Sequence, residues 1–135
     1  MISTGLARQL RHAGLRWKPA SGDRFQIDRS EFDAEIFTVS DLTIEAHEYP
    51  TGTVLGFNGT TEWALDSVDV TDALWLPRED QLRDLLRAAF RGLDRDEEGY
   101  RVTIELDGQT RHFASLSAPE AYGLALLAVL DRVAE

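Results

Sequence analysis

The 135-residue chain contains no cysteine, which excludes disulfides, thiolate metal sites and cysteine nucleophiles. That absence fits a reducing compartment. No apolar run approaches the ~20 residues of a membrane span. The segment Met1–Pro19 scatters arginines among its apolar residues, so it does not read as a signal peptide. The expectation is a cytoplasmic protein without a membrane partner. Lysine is almost missing as well, with one lysine against thirteen arginines, a usage that points to a GC-rich genome.

Catalytic signatures are also lacking. Gly56-Phe57-Asn58-Gly59-Thr60-Thr61 has neither the spacing nor the lysine of a phosphate loop. There is no zincin motif, EF-hand loop or serine nucleophile elbow. No cofactor is called for, and most of the ordinary routes to an enzyme are missing.

What is present is acid. The net charge is −10, and it is uneven: Met1–Arg24 carries +4, whereas Phe25–Pro77 holds eleven acidic residues and one basic, again −10. An acidic mid-section argues against nucleic acid, which needs cations against phosphate. It suits a solvated surface, a basic partner or a cation.

The length predicts one domain, 1–135, with a core large enough to stand without staples. Ser3 or Thr4 can cap a helix to about Ala13, ended by Gly14. Phe25–Ile27 reads as a strand. Ile36–Val39, Thr43–Tyr49 and Thr53–Phe57 read as a three-stranded meander, with Glu45, His47 and Tyr49 on one face of the middle strand and Ile44, Ala46 and Glu48 on the other. Asn58-Gly59 is a type I′ turn pair before a further candidate strand, Thr60–Leu65. Asp66–Asp72 is compatible with a loop or a distorted strand.

Ala73–Leu76 reads as a strand stopped by Pro77, after which a helix begins with Glu79 and Asp80 in its first turn. Leu82, Leu85, Leu86, Ala89, Phe90 and Leu93 follow helical spacing and predict a helix over Arg78–Leu93, with Arg83, Arg87 and Arg91 along its flank. Asp94–Gly99 reads as a charged loop. Tyr100–Leu106 and Gln109–Ala114 predict a hairpin through Asp107-Gly108. Ser117 and Glu120 form a capping box for a closing helix, Ala118–Ala134, which is apolar almost all round and so needs cover on more than one side.

Few residues offer chemistry. Glu45 and His47 share a strand face and could give a divalent ion two ligands, with His112 or Asp41 as a third; a strand with polar outward residues is the preferred reading, since lone His/Glu pairs rarely suffice. His12 suits a helix C-terminus. Trp17, Trp63 and Trp75 lie near turns or junctions and are either margin core residues or a recognition surface. Arg78 and Glu79 are the polar residues beside the strand-to-helix junction.

Ala13-Gly14-Leu15-Arg16-Trp17-Lys18-Pro19 with Gly22-Asp23-Arg24-Phe25, Gly56 to Asp66, and Trp75-Leu76-Pro77-Arg78-Glu79-Asp80-Gln81-Leu82 together resemble a family of short bacterial proteins from GC-rich genomes, over most of the chain. Some of its members are labelled pilus assembly proteins. The W-x-P and L-P-x-x-D-Q-L elements also resemble those of short phage-associated proteins. The resemblance implies no catalytic residue and no cofactor.

The expected fold is α+β: one curved antiparallel sheet of about five to seven strands with three helices, two of them packed on one face. The expected function is a non-catalytic protein-binding or accessory module with an acidic surface for a basic partner, and possible dimerisation through the C-terminal helix. Its candidate binding residues are Trp17, Trp63, Arg78 and Glu79. The alternatives are a small metal-dependent hydrolase using Glu45, His47 and His112, and an immunity or inhibitor protein.

Overall fold

The computed structural model describes residues 1–28, 35–40, 44–57 and 67–134. The protein is α+β, with three helices and three antiparallel sheets of three strands each among the described residues. Its contacts divide into two compact units, Met1–Leu15 with Pro77–Glu135, and Arg16–Leu76. Among the described residues, no helix is long and apolar enough to cross a membrane.

In the first unit α1 (Thr4–His12) is capped by the Ser3 hydroxyl, which accepts the Leu6 N–H at 3.2 Å. Gly14 follows with φ +113°, a conformation that glycine adopts without penalty. The second helix, α2 (Glu79–Leu86), starts from Arg78, whose backbone N–H donates to Gln81 Oε1 at 2.9 Å. Pro77 is buried just ahead of the cap.

Strands β7 (Phe90–Asp96), β8 (Gly99–Leu106) and β9 (Gln109–Ser115) form one sheet, in the order β7-β8-β9. The closing helix α3 (Ala118–Ala134) lies on β8 and β9, and both α1 and α2 lie against α3. Val102, Ile104, Ala121, Tyr122, Ala125 and Leu126 are buried in this layer.

The helix expected over Arg78–Leu93 is corrected here. It ends at Leu86, passes through a 3-10 turn at Arg87–Ala89, and the rest becomes β7. The reason lies in the pairing. Phe90 opposes Ile104 and Leu93 opposes Val102, with a bulge at the step from Phe90 to Gly92. The extra residue, Arg91, lets side chains three apart share one sheet face, which copies helical spacing. The flanking arginines consequently scatter: Arg91 pairs with Glu105 at 3.3 Å, and the Tyr122 hydroxyl beside Arg83 raises the pKa of its guanidinium. Asp94–Asp96 belongs to β7 rather than to a loop, and only Glu97 and Glu98 turn the hairpin. Gly99 makes that turn possible: its φ is +129°, and a Cβ there would lie 2.6 Å from the Ser115 carbonyl oxygen.

The second unit holds β1 (Arg24–Ile27), β2 (Phe37–Thr38), β3 (Ile44–Tyr49), β4 (Gly52–Phe57), β5 (Ser67–Asp69) and β6 (Ala73–Leu76). They form two sheets, β2-β1-β6 and β3-β4-β5, instead of the single larger sheet expected from the sequence. The expected meander is only partly formed. β3 pairs with β4, but β2 pairs with β1. A 3-10 turn at Val70–Asp72 separates β5, which closes one sheet on β4, from β6, which pairs with β1 in the other. Phe25, Ile27, Phe37, Ile44, Leu55, Phe57 and Val68 bury a common core between these strands. Asp41, the Asn58-Gly59 turn, the Thr60–Leu65 strand and Trp63 lie outside the described residues.

Candidate functional site

The outward face of the β3-β4-β5 sheet carries exposed polar side chains among the described residues of the second unit. The expected alternation holds in β3: Ile44 is buried and Ala46 packs on the core, which turns Glu45, His47 and Tyr49 outward. The register lines these up in two rows across the sheet. Glu45 opposes Gly56, which opposes Ser67; His47 opposes Val54, which opposes Asp69. Residues directly opposite one another project to the same face. Two carboxylates, Glu45 and Asp69, therefore flank a low floor formed by Val54 and Gly56.

Gly56 shapes this floor. A Cβ there would come within 3.1–3.2 Å of the His47 ring, so the missing side chain leaves room for the imidazole to lean across β4. Glu45 Oε2 lies 3.8 Å from His47 Nε2, beyond direct hydrogen-bond reach and within electrostatic contact. Both side chains keep more than a third of their surface in solvent, and Tyr49 beside them is 57% exposed. At such exposure the pair contributes little to stability. It is a polar surface available for contact.

The third residue of the metal alternative, His112, belongs to the other unit. It lies on β9, where its Nδ1 is 2.9 Å from Thr103 Oγ1 across the strand pair. Among the described residues, no group of three or more His, Asp or Glu side chains is arranged to hold a metal ion.

Two of the expected binding residues, Trp17 and Arg78, have local partners. Trp17 is half-buried and its indole Nε1 donates to Asp23 Oδ2 at 3.0 Å; the same oxygen accepts the Ala20 N–H at 3.0 Å. Its ring is 5.4 Å from Phe25 and stacks at 6.3 Å on Trp75. Trp75 is likewise half-buried, and among the described residues its indole nitrogen has no hydrogen-bond partner. Arg78 and Glu79 start α2, where Arg78 Nε pairs with Asp80 Oδ1 at 3.2 Å. That contact holds the Asp80 carboxyl below its ordinary range. Asp69 was not singled out in the sequence, because the acidic stretch around it has no clear period. The buried Val68 beside it is the one cue to strand alternation.

Comparison with protein-family models, with curated proteins and with solved structures finds no match.

Proposed function

We propose that this protein is a non-catalytic binding module that recognises a basic protein partner through its second unit. The observation that carries this reading is charge placed on an open face. Arg16–Leu76 holds twelve acidic and four basic residues, a net of −8 within the total of −10. The outward face of β3-β4-β5 presents Glu45 and Asp69 beside an exposed tyrosine. Such a face attracts cationic groups over a Debye length and offers Tyr49 and His47 for stacking against guanidinium groups. An inhibitor or immunity role is a special case of the same physics, in which the acidic face covers the basic site of another protein.

The test is affinity capture from lysate at low and moderate salt, run in parallel with the Glu45→Gln/Asp69→Asn double variant. A basic protein retained by the native chain, lost on the variant and weakened by salt is expected. A capture profile identical for both chains would remove the reading.

A further inference from the structure

The C-terminal half of α3 is more apolar than its surroundings in the first unit require. Leu124, Leu127, Ala128 and Leu130 are only half-buried, and Val133 is 79% exposed. The ridge of Leu127 and Asp131 borders an open groove of about 370 Å³, whose other wall is Arg8, Gln9 and His12 of α1 with Ala13 just after it. We propose that this surface is a two-fold interface between copies of the chain, in which the α3 ridge of each copy enters the α1–α3 groove of the other.

Charge placement selects a second copy as the occupant. The acid, Asp131, stands on the ridge, and the bases, Arg8 and His12, stand on the facing wall. A two-fold axis sets ridge against wall, so each Asp131 meets the Arg8 and His12 of the other copy, and the contact is made twice. A basic partner would meet Arg8 here, and an acidic one would meet Asp131; the surface is complementary to itself. It also differs from the rest of a chain with net charge −10, whose copies repel elsewhere. Burying Leu127 and its half-exposed neighbours supplies the apolar contact that α3 lacks within one copy.

Light scattering coupled to size-exclusion chromatography tests the proposal on the full chain. The native protein is expected at about twice its 15.1 kDa mass. Leu127→Glu is expected to weaken association about tenfold or more, with its helical circular dichroism retained. Asp131→Arg and Arg8→Glu are each expected to be monomeric alone, since each sets like charges together at both contacts. Mixing the two variants restores opposite charges at both contacts and is expected to restore the dimer. An ion pair within one copy cannot do this, because each variant chain still carries its own like-charged pair. A 15.1 kDa species for the native chain at all concentrations overturns the proposal. So does a dimer insensitive to Leu127→Glu, or a mixture that stays monomeric. These outcomes are independent of the Glu45 and Asp69 face, which lies on the other unit.

Discussion

Glu120 accepts the backbone N–H of Ser3 at 2.5 Å across 117 residues of sequence, and its second oxygen lies 3.3 Å from the Ser3 hydroxyl. Ser3 is the N-cap of α1, so one carboxylate ties the first turn of α3 to the start of α1. In the sequence Ser117 and Glu120 read as a reciprocal capping box. In the structure the Ser117 N–H goes to Ser115 Oγ at 3.2 Å, and the Glu120 N–H reaches Ser117 Oγ only at 3.5 Å. Half of the box is exchanged for a tertiary contact. Glu120→Ala is expected to cost about 1 kcal/mol, and Ser3→Ala a similar amount through the lost cap. Because they share one contact, the double variant costs less than the sum. Urea denaturation of the four chains checks this, and strict additivity would refute the coupling.

The close approach of the same two helices is set by Gly123. A Cβ there would lie 2.5 Å from Leu6 Cδ2 and 3.3 Å from Leu6 Cγ, and Leu6 is buried. Alanine gains about 1 kcal/mol of helix propensity over glycine, but forcing a methyl into a filled core costs roughly 1–3 kcal/mol. Gly123→Ala is therefore expected to lower stability by about 1 kcal/mol net. Adding Leu6→Ala, which clears the space, is expected to make the glycine substitution favourable. A stabilised single variant would show that the helices separate without cost.

Arg87 explains why part of the fold was hidden in the sequence. It has φ 52° and ψ −130°, a backbone region that side chains other than glycine rarely occupy. Arg-Ala-Ala contains no helix-stop signal, so local propensity continues the helix that the β7–β8 pairing ends. The Ser3 cap of α1, the Asp107-Gly108 hairpin, the extent of α3 and the alternation in β3 were legible, because each depends on near neighbours in sequence. The division into three sheets was not, because it depends on β1 pairing with β6, nearly fifty residues away. Period two put Glu45 and His47 on one strand face, where the sequence offered them as metal ligands or as a polar surface and not as binding residues. Asp69 was not legible, since its position follows only from the register of β5 on β4. Replacing Arg87 with glycine removes the strain and is expected to raise stability by about 1 kcal/mol or slightly more. An unchanged or lowered urea midpoint would mean that the arginine side chain offsets its own strain.

Asp80 gives a pH dependence with a definite sign. Its folded pKa is lowered, chiefly by the hydrogen bond from Arg78. The contribution to stability is therefore complete above the unfolded value of about 3.9 and is lost as pH falls through the lower folded value. Solvent screening of this exposed pair keeps it below about 1 kcal/mol. Asp80→Asn should be slightly less stable than the native chain at neutral pH. The gap should close as pH falls below the lowered folded value, where the native carboxyl is protonated too. A gap that persists there would assign the effect to packing.

Trp17 separates a core role from a recognition role. Its indole shares the buried Asp23 Oδ2 with the Ala20 N–H, and its ring stacks on Trp75. Trp17→Phe keeps most of the apolar contact with Phe25 but withdraws one donor from a buried carboxylate oxygen, a loss of about 1–3 kcal/mol. Thermal or urea unfolding is expected to register that loss. Capture of a basic partner, measured where the variant is still folded, is expected to match the native chain, because the proposed contact face is built from Glu45, His47, Tyr49 and Asp69. The opposite pattern, with full stability and lost capture, would move the recognition surface to Trp17 and remove the β3-β4-β5 face from the proposal.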